Sequence, residues 1–295
     1  MKNNKIGIIG RGFVGKAVAY GFSEQTGYST EIRIYDIDPV RSNNTLDDTI
    51  NKSDFIFLSV PSPADKNGNI DLSVVENVLS DINDINRNDS NVVLLRSTVT
   101  PGTSEKLQEQ FSNIRIVFNP EFLTERSALF DFINQSRVIL GGPSKLTSRV
   151  KELYHDRFGD YLPVVETDYK TAELIKYMNN LYFATKVSFL NEMKLVSNKI
   201  GADWETAVKG FILDGRIGHS HMDVPGPDGK LGFGGSCFPK DIQAMISFGE
   251  ELGLNMDTLK GAWNTNLHVR PEKDWEKLKG RAVSDSSNSG SDEKK

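Results

Sequence analysis

The sequence predicts an α/β protein in which a doubly wound parallel sheet is followed by one long helix and a smaller, all-helical domain. Three observations carry this prediction. Six short apolar, β-branched runs (KIGII, EIRIY, DFIFLSV, NVVLL, IRIVF and RVIL) fall within the first 140 residues. Most are separated by stretches long enough for a crossover helix, such as Asp71 to Ile85 and Pro101 to Phe111. A glycine-rich turn follows the first run directly. From Asp168 to Ile200 there is neither Pro nor Gly, and apolar residues recur at Leu174, Met178, Leu181, Met193, Val196 and Ile200 before Gly201 supplies a stop.

The first run opens into Gly10-Arg11-Gly12-Phe13-Val14-Gly15 and then a helix through Ala17 and Ala19. In a Rossmann-type unit Gly10 makes the tight turn, Gly12 admits a pyrophosphate to the backbone, and Gly15 lets helix and strand pack closely. The anion then rests on the helix N-terminus. A lone GxGxxG is often only a glycine-rich turn, but here it lies between strand and helix. Asp36 ends the second run 21 residues beyond Gly15, where a carboxylate accepts from ribose hydroxyls and repels a 2'-phosphate. NAD is therefore expected over NADP. Arg41 dissents, because an arginine there can serve a 2'-phosphate, stack on adenine or stay solvated.

A seventh short run, Leu162 to Val165, is expected to add an edge strand. The helix from Asp168 to Ile200, at 1.5 Å per residue, is about 50 Å long and is expected to pass from the first domain into the second. Helices are expected at Asp203 to Leu213, Pro239 to Leu252 and Asp257 to Leu278, with a Gly- and Pro-rich loop from Gly215 to Gly235. The expected domains are 1–166 and 167–280, and 281–295 is expected to be a disordered tail: from Ser284 on it has no apolar residue.

Composition narrows the function. The chain has 295 residues, 38% hydrophobic, with 35 Lys and Arg against 40 Asp and Glu, and no basic block to neutralise a run of phosphates. No nucleic-acid partner is expected, nor a membrane one, since no run approaches about 18 apolar residues. One cysteine, Cys237, makes no intrachain disulfide and suits a reducing, cytoplasmic compartment. The sequons at Asn43, Asn51, Asn88 and Asn134 are then ordinary polar loop residues. No metal site is expected.

Cys237 lies in GFGGSCFPKD. Pro239 suits the first helical position, which sets Cys237 just before a helix N-terminus with Lys240 nearby, and both features favour thiolate. Taken alone, such a cysteine is more often a small buried hydrophobe. In the long helix Lys176 and Asn180 are four apart, so they share a face and can converge on one oxygen, although a surface lysine is ordinarily solvated. Glu121, in FNPEFLTE, and Thr98, in RSTVTPGT, each follow a strand end, where ligands bind in doubly wound folds. Glu125 comes four residues after Glu121. The bland reading of Thr98 is a helix-capping hydroxyl.

GxGxVG, VPSP at Val60 to Pro63, STVTPGT, NPEFL, AELIKYMNN and above all GFGGSCFPKD resemble, in order from about residue 5 to 270, the UDP-glucose/GDP-mannose dehydrogenase family. The resemblance implies NAD-dependent oxidation of a sugar C6 alcohol to the acid, most readily of UDP-glucose, through a thiohemiacetal and thioester on Cys237. It implies that Lys176 and Asn180 hold the oxyanion, that Thr98 and Asp241 position water or alkoxide, and that Glu121 is the base for hydrolysis. It extends the cofactor site to Phe13, Val14, Arg41, Pro61, Thr98, Glu125 and Lys240. The implied substrate site adds Phe122, Leu123, Gly234 and Arg216, the last reaching across a homodimer formed through the central helix. The family's third, nucleotide-covering domain is expected to be missing, the Arg216 to Cys237 segment is longer than the family leads one to expect, and Ser62 replaces the usual Thr. A β-hydroxyacid dehydrogenase, which uses a helix lysine and no thiol, and a catalytically idle NAD-binding module are the alternatives.

Overall fold

The computed structural model describes residues 4–284. They divide into two compact units, one formed by the chain up to Ser62 with Leu72–Lys176, the other by Pro63–Asp71 with the chain from Tyr177.

In the first unit all seven runs are strands: β1 (Lys5–Ile9), β2 (Glu31–Tyr35), β3 (Phe55–Leu58), β4 (Val92–Leu95), β5 (Ile116–Phe118), β6 (Val138–Gly141) and β7 (Val164–Thr167). They form one sheet in the order β2-β1-β3-β4-β5-β6-β7. The accompanying helices are α1 (Phe13–Gly21), α2 (Leu46–Asn51), α3 (Ser73–Ile85), α4 (Thr103–Gln110), α5 (Ala128–Ile133), α6 (Ser144–Phe158) and the start of α7 (Tyr169–Ile200). Because strand side chains alternate, Ile8, Phe57 and Leu94 pack on one face with α1, α5 and α6. Ile9, Ile56, Leu58, Val93 and Leu95 pack on the other with α3, α4 and the first turn of α7. Both faces are thus covered, which is why these strands read as unbroken apolar runs. From β2 through β5 neighbouring strands are parallel, so the loops after β1, β3, β4 and β5 emerge at one edge of the sheet.

One pair departs from the all-parallel expectation. β5 and β6 run antiparallel through Phe118 and Gly141, while β6 and β7 are parallel to each other. A parallel return needs a crossover that spans the sheet. The connection here instead holds the NPEFLTE loop and the six-residue α5, whose Phe132 packs so closely on Gly21 of α1 that a Cβ there would collide with its ring. The chain re-enters the sheet at the end from which it left.

The second unit packs α7 beyond Lys176 with α9 (Phe238–Glu251) and α10 (Asp257–Val269) around Tyr177, Leu181, Ala184, Phe233, Ile242, Met245 and Ala262, while α8 (Trp204–Ile212) packs around Leu190, Met222 and Val224. The Asp203 carboxylate caps α8 by accepting from Glu205 N and Thr206 N. The helix expected from Asp257 to Leu278 is two pieces, because Pro271 disfavours helical geometry at Arg270. α10 stops at Val269, and a 3-10 turn, Asp274–Lys277, follows.

Pro63–Asp71, expected in the first domain, belongs to this unit. Ser247 donates to Asn69 Oδ1 at 2.7 Å, and Ala64 N donates to Ala282 O at 3.1 Å. The division within α7 also falls later than residue 166. Ala282 is buried and Ser284 N donates to Ala64 O at 2.8 Å, so 281–284 are part of the fold rather than of a tail. The rest of the expected tail, 285–295, lies outside the described residues. Among the described residues, no helix is long and apolar enough to cross a membrane.

Candidate active site

In the first unit, Gly10 follows β1 at φ +89° and α1 begins at Phe13. A Cβ on Gly15 would collide with Gly10 O, so helix and turn are in backbone contact. Gly12 is different. Its φ of −68° suits any residue, a Cβ there would meet nothing within 4 Å, and no side chain caps α1. Among the described residues, nothing requires glycine at that position. The open space beside uncapped amides fits a dinucleotide pyrophosphate.

Asp36 follows β2 and stands beside this turn. Its Oδ2 accepts from Arg11 N at 2.6 Å and its Oδ1 from Asp38 N at 2.9 Å, which fixes the carboxylate while leaving acceptor capacity on both oxygens. Arg41 is an exposed residue paired through Nε with Asp38 at 3.1 Å. The turn carries a cation of its own that sequence reading overlooked: Arg11 donates to Arg41 O at 3.2 Å. Phe13 and Glu125, expected to bind cofactor, line one cleft of about 400 Å³ with Lys16, Arg126 and Ser127. Val14 lies in the first turn of α1.

The loops after β3 and β4 are tied together. Ser62 donates to Thr98 O at 2.7 Å, and Ser97 donates to Val60 O at 2.6 Å. This holds the exposed Pro61 and the half-buried Thr98 at the sheet edge. Thr98 is not a helix cap, because α4 has Gly102 in that position. The acceptor for α4 comes from α7: Glu173 takes Gly102 N at 2.5 Å and Ser104 N at 2.7 Å.

Glu121 follows β5, and Lys176 of α7 reaches it. Lys176 Nζ donates to Glu121 O at 2.6 Å and to Oε1 at 2.9 Å, while Glu121 Oε2 accepts from Leu123 N at 2.7 Å. The ammonium also stands 5.4 Å from the Phe122 ring centroid. Lys176 is 2% exposed and Glu121 7%, so the solvated reading of this lysine fails.

In the second unit, Cys237 occupies the N-cap position of α9 without a side-chain cap bond, and Ser236 Oγ lies 3.8 Å from its Sγ. Asn180 Nδ2 donates to Asp241 Oδ2 at 2.6 Å, and Lys240 Nζ pairs with Asp241 Oδ1 at 2.6 Å. Lys176 thus bonds Glu121, and Asn180 bonds Asp241. The Lys240 cation is paired with Asp241, and the Cys237 thiol stands at the α9 N-terminus. Arg216, 89% exposed along its side chain, folds back on Asp214 with Nε to Oδ1 at 2.9 Å and Nη2 to Oδ2 at 2.5 Å. A Cβ on Gly234 would overlap the Arg270 guanidinium. Arg270, Asn266 and Asn191, all buried, were missed in the sequence because interior Arg and Asn carry no periodic signal. Among the described residues, no cluster of three His, Cys, Asp or Glu groups could hold a metal ion.

The NAD binding domain of the UDP-glucose/GDP-mannose dehydrogenase family matches residues 38–157, and the family's central domain matches 170–268. UDP-glucose 6-dehydrogenase TuaD of Bacillus subtilis is 34% identical over 234 residues, a match covering 77% of this chain and 49% of the relative. The chain thus spans about half the length of that protein. A UDP-glucose dehydrogenase structure from Pyrobaculum islandicum superposes with a TM-score of 0.77 and 28% identity, over 90% of this chain and 68% of that one. Mycobacterium tuberculosis 3-hydroxyisobutyrate dehydrogenase superposes over 92% of this chain and 94% of its own with a TM-score of 0.71. At 14% identity this shows the fold alone. The matched NAD binding domain and the likeness to UDP-glucose dehydrogenase indicate NAD as the cofactor.

Proposed function

Because the chain belongs to the UDP-glucose/GDP-mannose dehydrogenase family, we propose that it oxidises the C6 alcohol of a nucleotide sugar, UDP-glucose first among candidates, to the carboxylate in two hydride transfers. The observation that carries this is Cys237 at the head of α9, one turn from an Asp241 carboxylate held by Asn180 and Lys240. Bound NAD supplies the hydride acceptor.

In the first step Thr98 and Asp241 position the alcohol or its water, and the C6 alcohol loses a proton and a hydride to become the aldehyde. Lys176 and Asn180 offer donors to the developing oxyanion. Cys237 thiolate then adds to the aldehyde carbon, and protonation of the oxygen gives a thiohemiacetal. Loss of a second hydride and the hydroxyl proton leaves a thioester. Glu121 takes a proton from water, the resulting hydroxide attacks the acyl carbon, and the C–S bond breaks to return the thiolate and release the acid. Phe122 and Leu123 hold the sugar beside Glu121, Gly234 admits it next to Cys237, and Arg216 reaches a partner's substrate in a homodimer built on α7.

The second reading, a two-electron β-hydroxyacid dehydrogenase, uses the buried helix lysine, Lys176, and no thiol. Stoichiometry separates them. With NAD and a panel of UDP and GDP sugars, the four-electron reading expects two NADH per acid, and Cys237→Ala forms no acid. Glu121→Gln should slow hydrolysis by roughly 10² to 10⁴ and leave a sugar adduct on Cys237, visible in the intact mass. Acid formation by Cys237→Ala would overturn the covalent route, and one NADH per turnover on a 3-hydroxy acid would favour the second reading.

A further inference from the structure

Three of the four residues Gly232-Phe233-Gly234-Gly235 are glycine, so the segment leading to Cys237 is intrinsically costly to order. Two buried amides from different helices hold it. Asn266 of α10 takes Phe233 N on Oδ1 at 2.7 Å and gives Nδ2 to Phe233 O at 3.0 Å, satisfying both backbone groups of one residue. Asn191 of α7 takes Gly232 N at 3.0 Å, and its Nδ2 donates to Val187 O at 2.8 Å, which fixes the amide's orientation. On Gly234, the Arg270 guanidinium closes the other side, itself held by Asp228 at 2.6 Å and by Asp274 at 2.8 Å through both Nε and Nη2. Asn266 is fully buried and Asn191 is 2% exposed. Burying an amide is unfavourable unless its bonds are made, so apolar residues would serve packing alone better at both places.

We propose that Asn266 and Asn191 are positioning residues for Cys237. They clamp the glycine segment on one side while α9 anchors the other, and so hold the thiol at the helix N-terminus. The inference rests on Cys237 being the nucleophile, but its test does not.

Cys237 is the only cysteine, so iodoacetamide labelling of the full chain, followed by intact mass against pH, reads one thiol. Releasing the clamp should let the thiol move away from the α9 N-terminus. Asn266→Ala and Asn191→Ala are each expected to raise the pH midpoint of labelling by about one unit and to slow labelling at neutral pH roughly tenfold. Ser188→Ala is the control for lost stability: its hydroxyl donates to Ala262 O at 2.6 Å, a buried bond between α7 and α10 that does not touch the segment. It should leave the labelling profile unchanged. Asn266→Asp keeps the acceptor for Phe233 N, should fall between wild type and Ala, and serves if Asn266→Ala does not fold. Where turnover is measurable, kcat should fall while KM for NAD holds. A wild-type labelling profile in both Asn variants, or an equal shift in Ser188→Ala, overturns the proposal. A chain with no turnover but a shifted profile would count against the function and not against the clamp.

Discussion

Gly12 and Gly15 sit three residues apart in one motif, yet different physics selects glycine at each. At Gly15 a Cβ would strike Gly10 O, while at Gly12 it would enter empty space. Gly15→Ala should therefore destabilise the fold by about 1–3 kcal/mol, the usual result of overpacking, with a lower melting temperature even without ligand. Gly12→Ala should melt as wild type does and lose affinity for NAD by calorimetry. Normal NAD binding by Gly12→Ala would remove the assignment of that space to the pyrophosphate. The motif's spacing made these roles legible in the sequence. Asp36 and Glu121 were legible for a similar reason, since each stands at a strand end. The partners of Glu121 and Asp241 were half legible: Lys176 and Asn180 were marked as a pair on one helix face, but the carboxylates that engage them lie 55 and 61 residues away in sequence. No local pattern encodes such a separation.

Helix α7 shows the same limit at the scale of an element. Its length and ends follow from the absence of Gly and Pro and from Gly201, and its apolar period is plain in the sequence. Of the residues that mark this period, however, only Leu181 is buried; Leu174, Met178, Met193, Val196 and Ile200 are exposed. Beside Ala172, Leu181 and Leu190, the buried residues include Glu173, Lys176, Tyr177, Asn180, Ala184, Ser188 and Asn191, rich in groups that bond to backbone or to carboxylates. Polar groups share the face that packing ordinarily claims, so most of the apolar period falls on the exposed side.

Glu173 offers a test, because it joins α7 to the α4 amides and lies one turn before Lys176. Its burial raises the carboxyl above the ordinary 4.5, and the two backbone bonds only partly oppose this. A raised carboxyl contributes stability that is present below the unfolded value and lost as pH rises through the folded one. Glu173→Gln keeps one acceptor and leaves one amide facing an NH₂ group, so it should cost about 1–3 kcal/mol. The deficit should be largest near pH 4 and narrow towards neutrality in denaturant titrations. A deficit that widens with pH would contradict this reading of Glu173.

For the whole molecule, the consequence lies in a face of α7 that is exposed among the described residues. Within the second unit Met178, Tyr182, Phe189, Met193, Val196 and Ile200 recur at steps of three, four and seven, the period of one helix face, and all are more than a third exposed. Burying one such side chain fully stabilises by roughly 1.5–3 kcal/mol. In a two-fold pairing every residue counts twice, which offsets an association cost of about 4–15 kcal/mol. The expected state is a homodimer, near twice the chain mass of 32.9 kDa by light scattering at micromolar concentration. A Met178→Glu, Phe189→Glu variant should scatter as a monomer with unchanged helical content, since neither side chain is buried in its own fold. Arg216 then provides a second readout. In the dimer, Arg216→Ala should raise KM for the nucleotide sugar, because the side chain leaves Asp214 to meet a partner's substrate; in the monomeric variant the same change should have no effect. Monomeric wild type, or an Arg216 effect that survives in the monomer, would sink both the dimer and the shared site.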